Sequence, residues 1–455
     1  MKIVIVGGGI SGLSLAYFLL RKEPGLDVEV LESASRPGGK IWTDRAEGYL
    51  CEWGVNGFLD NKPRTLELAS MLGLAPVRSN DNARKRFIYS DDQLHKLPES
   101  PPEFFRSNLL SLRGRLRIIY EIFAPRGTAD DETLMDFAVR RLGKEAYEKL
   151  IDPMASGIYA GDSSKLSLKS CFPRIDEIER KYGSLIRGMI KLQKEAKGTG
   201  KKVGSGPGGT LTTFDGGMHS LIDSLREQLG HRLKIDSEVS SIDRRDKNYG
   251  VFLGNGDEMK ADILVLATPA HISSKILRQE NKEISEMLDK IPYPAVSVAC
   301  LGFSKEKIGL SLDGFGYLVP YKERRRILGT LWDSSIFPDR APDGKVLLRT
   351  MVGGARASDI ALQEDDKIVG DVMSELRAIM GINADPEFVR VYKHDLAIPQ
   401  YNVGHQRIIA SIHAIISKWR GFYLTGNAYR GISLNDCIEN SYIWSEKILG
   451  LKEVG

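Results

Sequence analysis

Lys2-Ile3-Val4-Ile5-Val6-Gly7-Gly8-Gly9-Ile10-Ser11-Gly12 opens the chain. Ile3 to Val6 is a β-branched run, the composition of a strand buried on both faces of a parallel sheet. Three glycines at G-x-G-x-x-G spacing follow, and then Leu13, Ala16, Tyr17 and Leu20 recur at helical spacing. Strand, glycine turn and helix in that order predict a dinucleotide-binding βαβ unit. Gly7 makes the tight turn, Gly9 lets the backbone approach a diphosphate, and Gly12 lets helix and strand pack closely. Gly8, Ile10 and Ser11 complete the loop, and the helix N-terminus offers free N–H groups and a positive dipole end. Pro24-Gly25 ends the helix and Val28 to Glu32 forms a second strand. Glu32 stands about 20 residues beyond Gly12, where a carboxylate meets ribose hydroxyls.

NAD is a rival ligand for this fingerprint alone. Two further stretches favour FAD. Ser33-Ala34-Ser35-Arg36-Pro37-Gly38-Gly39-Lys40-Ile41 places a second glycine pair beside an arginine directly after Glu32. Near the far end, Tyr423-Leu424-Thr425-Gly426-Asn427-Ala428-Tyr429-Arg430-Gly431 leads into Ile432-Ser433-Leu434-Asn435-Asp436-Cys437-Ile438-Glu439. A cofactor gripped from both ends of a chain is long, and FAD fits. The stretch from Thr425 to Arg430 has no cysteine at which a flavin could be attached, so non-covalent FAD is expected.

At 455 residues the chain exceeds one ordinary core, so two or three domains are expected. The net charge of +4 gives no argument for nucleic acid. Cys51, Cys171, Cys300 and Cys437 show no C-x-x-C spacing, which disfavours a disulfide framework or zinc site. The seven histidines are scattered, no metal-ligand spacing or hydrolytic constellation emerges, and no general base is identified. With the first strand starting at Lys2, no targeting segment is expected before it. No apolar run reaches membrane-spanning length. A cytoplasmic protein is expected, either soluble or peripheral on the inner face of a membrane.

The expected fold class is α/β: a discontinuous FAD-binding Rossmann-like domain, a β-sheet substrate domain and a helical domain. The cofactor domain takes residues 1–84, 206–270 and 415–455. Residues 85–205 are assigned to the helical domain, a candidate for membrane association, and are mostly helical near 103 to 200. Residues 271–414 form the substrate sheet, with strands at 293–304, 315–320, 327–333 and 346–353. Gly198 to Gly209, rich in Gly, Lys and Ser, reads as a flexible loop or linker. Phe104 to Phe123 mixes leucines and isoleucines with Arg106, Arg113, Arg115 and Arg117. It suits an interfacial helix on anionic lipid or, equally, a helix lining the pocket. Arg324-Arg325-Arg326 reads as a solvated hairpin turn.

Together these residues resemble the flavin-dependent protoporphyrinogen oxidases and their coproporphyrinogen-oxidising relatives, within the flavin amine oxidase superfamily. The most specific pieces are Arg86-Phe87-Ile88-Tyr89 with Leu94-His95-Lys96-Leu97-Pro98; Ser156-Gly157-Ile158-Tyr159-Ala160-Gly161-Asp162; Gly314 to Pro320; and Asn435 to Glu439. The resemblance implies a six-electron oxidation of a porphyrinogen, with molecular oxygen as acceptor and hydrogen peroxide as product. It places FAD contacts on Gly7 to Gly12, Glu32, Arg36, Gly38, Gly39, Gly54, Val55, Asn56, Gly57, Val239, Gly426, Asn427, Ile432, Ser433 and Leu434. It places substrate contacts on Arg86, Gly157, Leu318, Leu331 and Met351. A membrane surface and a second copy of the chain are further candidate partners; nucleic acid is not.

Each assignment has a plainer reading. Arg86 could grip a propionate with two parallel hydrogen bonds, or be a surface arginine in Arg84-Lys85-Arg86. Leu318, Leu331 and Met351 could hold a flat macrocycle or be ordinary core. Gly157 could admit the macrocycle to the backbone or end a helix. The helix from about Asn435 could aim its dipole at the flavin, or be an ordinary helix capped by Asn435. His95 reads as structural, and Cys437 as buried packing. An amine or amino-acid oxidase, and a non-catalytic FAD-fold protein that escorts prenylated GTPases, remain alternatives. Protoporphyrinogen and coproporphyrinogen are not separated by sequence.

Overall fold

The structure is a computed structural model and describes residues 1–197 and 208–450. The predicted linker lies, up to residue 207, outside the described residues.

The opening strand, Lys2–Val6, sits at the centre of a five-stranded parallel sheet. Its order is Leu233–Lys234, Asp27–Leu31, Lys2–Val6, Ile263–Leu266 and Phe422–Leu424. Three distant stretches of chain therefore build one sheet, as the discontinuous reading expects. Alternation sets the two faces. Ile3 and Ile5 pack beneath helices Ile10–Lys22, His219–Leu229 and Leu434–Gly450. Val4 and Val6 pack on the other side, against the three-stranded meander Val239–Arg244, Tyr249–Leu253 and Glu258–Ala261 and against helices Ala270–Leu277 and His405–Ile416.

A second sheet has seven strands, ordered Phe388–His394, Val296–Ser304, Lys345–Gly353, Ile327–Leu331, Gly316–Leu318, Arg86–Ser90 and Gln93–Lys96. Helix Asp365–Met380 covers one face. The last two strands differ from expectation: residues 86–96 form a hairpin of this sheet and are not part of the helical stretch. Arg86–Ser90 pairs parallel with Gly316–Leu318, a contact that local pattern cannot announce. The expected hairpin turn at Arg324–Arg326 does join strands Gly316–Leu318 and Ile327–Leu331, with Arg324 and Arg326 exposed and Arg325 half-buried. Arg325 Nη2 donates to the Tyr89 hydroxyl at 2.6 Å, and Arg326 pairs with Asp371 at 2.9 Å.

The helical stretch includes Pro101–Arg106, Leu112–Ile119, Leu134–Leu142, a π-helical turn at Tyr147–Ile151, Asp152–Tyr159 and Pro173–Tyr182. Its centre is ionic. Arg141, fully buried, lies 3.3 Å from Glu121 and 3.1 Å from Glu179, and it donates to the Ala124 and Gly183 carbonyls. Such a buried cation persists because two carboxylates and two carbonyls surround it. Phe105, Leu112, Leu116, Ile119, Tyr120 and Phe123 are exposed on the same stretch. No helix among the described residues is long and apolar enough to cross a membrane. All four cysteines are free.

Candidate active site

The glycine loop has two functions, separable position by position. At Gly12 a Cβ would lie 2.0 Å from the Gly7 carbonyl oxygen, so close packing of helix on strand excludes any side chain. At Gly9 a Cβ would meet nothing within 4 Å. Open space therefore lies above the backbone at the start of helix Ile10–Lys22. Gly9, its N-cap, brings no side-chain bond, and the first turn holds no acid. Bare N–H groups facing free space suit a diphosphate. Ser11 is buried and its carbonyl accepts from Ser441 Oγ at 2.8 Å, tying this helix to the C-terminal one.

Glu32 closes one end of this cradle. Its carboxylate accepts from the Gly8 N–H at 2.7 Å and from the Ala34 N–H at 2.8 Å. Gly38 folds back onto the loop, its N–H donating to the Gly8 carbonyl at 2.8 Å, and the Gly39 Cβ position lies 3.6 Å from Gly9 Cα. Arg36 lies between two indoles, 4.2 Å from the Trp42 ring and 4.5 Å from the Trp53 ring, with its Nη1 buried and unpartnered. Val239 is buried at the edge of the meander, packed with the core beneath the sheet.

From the other end of the chain, Thr425-Gly426-Asn427 follows strand Phe422–Leu424. Gly426 has φ +121° and its Cβ position is also open. Thr425 Oγ1 is buried with no partner among the described residues. The Asn427 carbonyl accepts from the Tyr401 hydroxyl at 2.5 Å. Ile432 packs with Tyr159 and Tyr401. Ser433 caps the helix that begins at Leu434. Its Oγ accepts from the Asp436 N–H at 3.1 Å, and its own N–H donates to Asp436 Oδ2 at 3.3 Å, a reciprocal capping box. Asn435 is therefore not the cap; its side chain accepts from Thr65 Oγ1 and donates to the Leu59 carbonyl. Burial pushes the Cys437 thiol up to about 11, which fits packing rather than nucleophilic use. Two open glycines and two orphaned polar atoms, on segments that follow strands Lys2–Val6, Asp27–Leu31 and Phe422–Leu424 of one parallel sheet, fit FAD.

Gly54, Val55, Asn56 and Gly57 join the cradle to the seven-stranded sheet. Arg349 Nη1 donates to the Glu52 and Gly54 carbonyls at 3.0 and 3.2 Å, and Asn56 Nδ2 donates to Asp333 Oδ1 at 3.2 Å. Val55 packs against the core of the first sheet, and Gly57 closes on the Thr212 carbonyl.

Register puts the remaining residues on one face. Arg86 pairs with Gly316, Gly316 with Leu331, and Leu331 with Arg349. The next row runs Ile88, Leu318, Gly329, Met351. Residues two apart share a face, so Arg86, Leu318, Leu331 and Met351 all point away from helix Asp365–Met380. Gly157 meets them from helix Asp152–Tyr159, where a Cβ would lie 2.8 Å from Leu318 Cδ2. The Arg86 guanidinium stands 4.9 Å from the Phe315 ring, and no carboxylate pairs with it among the described residues. Its side chain is exposed, yet surrounding protein holds its pKa below the ordinary arginine value by desolvation. Accessible but poorly hydrated describes a cation inside a cleft. Nearby, Lys85 is paired with Asp313 and Arg84 with Asp81. His95, as expected, has a structural bond, from Nε2 to the Ser90 carbonyl.

Sequence reasoning passed over Lys40 and Phe315. Lys40 caps the Leu396 carbonyl at 2.7 Å and the Ala397 carbonyl, with burial pushing its pKa down to about 8. A half-buried lysine beside Gly39, with carbonyl partners but no counter-ion among the described residues, fits an anionic cofactor. Its signal was its place directly after the glycine pair.

Comparison with known proteins agrees with this geometry. The family model described as flavin containing amine oxidoreductase matches residues 10–449. The coproporphyrinogen III oxidase of Bacillus subtilis (strain 168) is 32% identical over 452 residues, covering 96% of this chain and 95% of that protein. The chloroplastic protoporphyrinogen oxidase of Oryza sativa subsp. japonica is 34% identical over 466 residues, covering 96% and 86%. A crystal structure from Exiguobacterium sp. 255-15, assigned as a protoporphyrinogen oxidase, superposes with a TM-score of 0.83 at 27% identity, covering 98% of both chains. A chain matched almost end to end by one model, and about a third identical to relatives of its own length, belongs to their family: this is a flavin-containing amine oxidoreductase of the protoporphyrinogen and coproporphyrinogen oxidase kind, and its cofactor is FAD.

Proposed function

We propose that the protein oxidises protoporphyrinogen IX to protoporphyrin IX, using non-covalent FAD and molecular oxygen. The observation that carries this reading is Arg86, a guanidinium with no carboxylate partner among the described residues, on the same sheet face as Leu318, Leu331 and Met351. A carboxylate-bearing, otherwise apolar macrocycle complements that arrangement. An amine substrate does not, because a protonated amine would meet a cation.

FAD, when bound, accepts hydride from the substrate carbon. The chain positions the reactants. Arg86 holds one propionate in a bidentate grip and so fixes the rotation of the ring. Leu318, Leu331 and Met351 exclude water from its face, and Gly157 lets Leu318 pack directly on the backbone of helix Asp152–Tyr159. Glu32 takes the ribose of the cofactor, while the N–H groups of Gly9 to Gly12 take its diphosphate.

The domain reading that follows gives residues 1–84, 206–270 and 415–455 to the cofactor unit and moves the 86–96 hairpin to the substrate unit. The exposed Phe105, Leu112, Leu116 and Phe123, set among arginines, support peripheral attachment to an anionic membrane from the cytoplasmic side. Coproporphyrinogen III is the second substrate reading, favoured by the Bacillus relative. Turnover of both porphyrinogens, followed side by side by red fluorescence, decides. Faster oxidation of protoporphyrinogen is expected; preference for coproporphyrinogen selects the second reading, and inactivity on both removes the proposal.

A further inference from the structure

We infer that Arg356 is a positioning residue that sets the width of the substrate cleft, stapling the helix that carries Gly157 to the strand that carries Met351. The inference rests on the proposed substrate role of that cleft.

Strand Lys345–Gly353 bears Met351 and runs into the loop Gly354-Ala355-Arg356. Helix Asp152–Tyr159 bears Gly157 on the opposing wall. One backbone bond joins the walls, from the Ala355 N–H to the Ala160 carbonyl at 2.8 Å. Arg356 adds a fork. Its Nη1 donates to Asp152 Oδ1 at 2.8 Å; its Nε and Nη2 donate to Asp162 Oδ1 at 3.1 and 2.8 Å. Nη2 also reaches Ser163 Oγ at 3.2 Å, which donates to Asp152 Oδ1 at 2.5 Å and bonds the Tyr147 hydroxyl at 3.0 Å. Tyr321 covers the guanidinium at 4.4 Å, and its N–H donates to Asp152 Oδ2 at 3.3 Å.

One planar cation thus holds both ends of a single helix. Asp152 is its first residue, and Asp162 lies just past its last. Charge-assisted bonds of this kind are short and directional, so they fix orientation as well as proximity. Burial pushes Asp162 up, but bonds from Ser164 and Arg356 outweigh it and hold the carboxyl below its usual range. Just upstream, Lys149 of the π-helical turn donates to Asp91 Oδ2 at 2.7 Å. Asp91 is at the tip of the hairpin that carries Arg86. The helix is therefore tethered to the sheet on both sides of the cleft, and one tether leaves from the π-turn itself, a local irregularity common at functional sites.

The test compares Arg356→Gln, Arg356→Lys and Asp162→Asn with the parent, all as FAD-loaded full chains. Three quantities are read: FAD content, steady-state kinetics on the preferred porphyrinogen, and amide hydrogen exchange. In Arg356→Gln, KM should rise about tenfold while kcat stays within about twofold and FAD content is unchanged. Exchange over residues 152–163 should quicken about tenfold, with helix Ile10–Lys22 unaffected. Asp162→Asn should reproduce the KM rise, and Arg356→Lys should recover part of it. Unchanged KM with FAD retained, or a fall in kcat at constant KM, overturns the inference. So does loss of FAD in both Arg356→Gln and Asp162→Asn, which would make the fork a general stability element. A parent inactive on both porphyrinogens whose variant still shows faster exchange at 152–163 would sink the proposed function and leave the staple standing.

Discussion

The cofactor cradle and the substrate wall are made of different materials. The cradle is chiefly backbone: bare N–H groups at a helix start, glycines with open Cβ positions, carbonyls held by Lys40 and Tyr401. The wall is side chains, presented at every second residue by strands lying as far apart in sequence as Arg86 and Met351. Backbone recognition is local, so a short motif carries it. Side-chain recognition across a sheet depends on register, and register is a property of the whole fold. The two regions should therefore fail differently when altered.

Within the glycine loop the largest effect separates packing from binding. Gly12→Ala puts a Cβ 2.0 Å from the Gly7 carbonyl oxygen, and backbone cannot yield there cheaply. Overpacking of this kind costs roughly 1–3 kcal/mol or more, so loss of soluble holoprotein is expected. Gly9→Ala meets no protein atom within 4 Å. It should fold with a parent-like thermal midpoint as apoprotein, yet retain much less FAD. Equal damage from both substitutions, measured by flavin absorbance and thermal midpoint, would break the division between the two glycines.

On the wall, Arg86→Ala should leave FAD content untouched and reduce kcat/KM. Leaving a buried carboxylate without its bidentate partner costs roughly 2–5 kcal/mol, about 30-fold to several-thousand-fold. Arg86→Lys should restore part, since an ammonium cannot reproduce the fork. Parent-like kinetics for both porphyrinogens would take Arg86 out of the site.

What was legible follows the same division. Strand, glycine turn, helix and Glu32 lie within one short stretch, so the dinucleotide-binding fold could be read there, while FAD over NAD needed Gly38-Gly39 and the stretch from Thr425 to Gly431. The hairpin at 86–96 was misplaced because its parallel partner, Gly316–Leu318, lies far away in sequence. Ser433 was missed as the cap because Asn435 is also a good capping type, although Ser433-x-x-Asp436 is a capping-box pattern. Arg356 was invisible for another reason: what marks it is its pair of partners, Asp152 and Asp162. Lys40 offered only its place after the glycine pair, its partner carbonyls at 396 and 397 lying far off in sequence.

A smaller effect should appear with pH beneath the cradle. His405 stacks on Tyr401 at 4.1 Å, and burial pushes its pKa down to about 4. A folded-state value below the unfolded one means that the unfolded chain binds more protons between about 4 and 6.5. Stability is then complete above about 6.5 and is lost as pH falls toward 4. His405→Gln cannot titrate. Its thermal midpoint should fall less steeply than the parent's over that window, with the difference vanishing near pH 7. Parallel curves would show that the ring is not titrating as its burial requires.

The smallest effect on catalysis is expected outside both regions. Phe105, Leu112 and Leu116 are 55, 65 and 56% exposed, so they cannot line a closed pocket. With Arg106, Arg113, Arg115 and Arg117 beside them, they present apolar groups and positive charge on one stretch, the combination that binds anionic bilayers. Replacing all three by serine should weaken binding to phosphatidylserine-containing vesicles by about tenfold or more, since each inserted side chain contributes on the order of 1 kcal/mol or more. Salt should release part of the parent from the same vesicles, because the arginines act through screened attraction. FAD content and KM for soluble substrate should not move. A rise in KM with vesicle binding unchanged would reverse the assignment, making the stretch part of the substrate wall and extending that wall beyond the sheet.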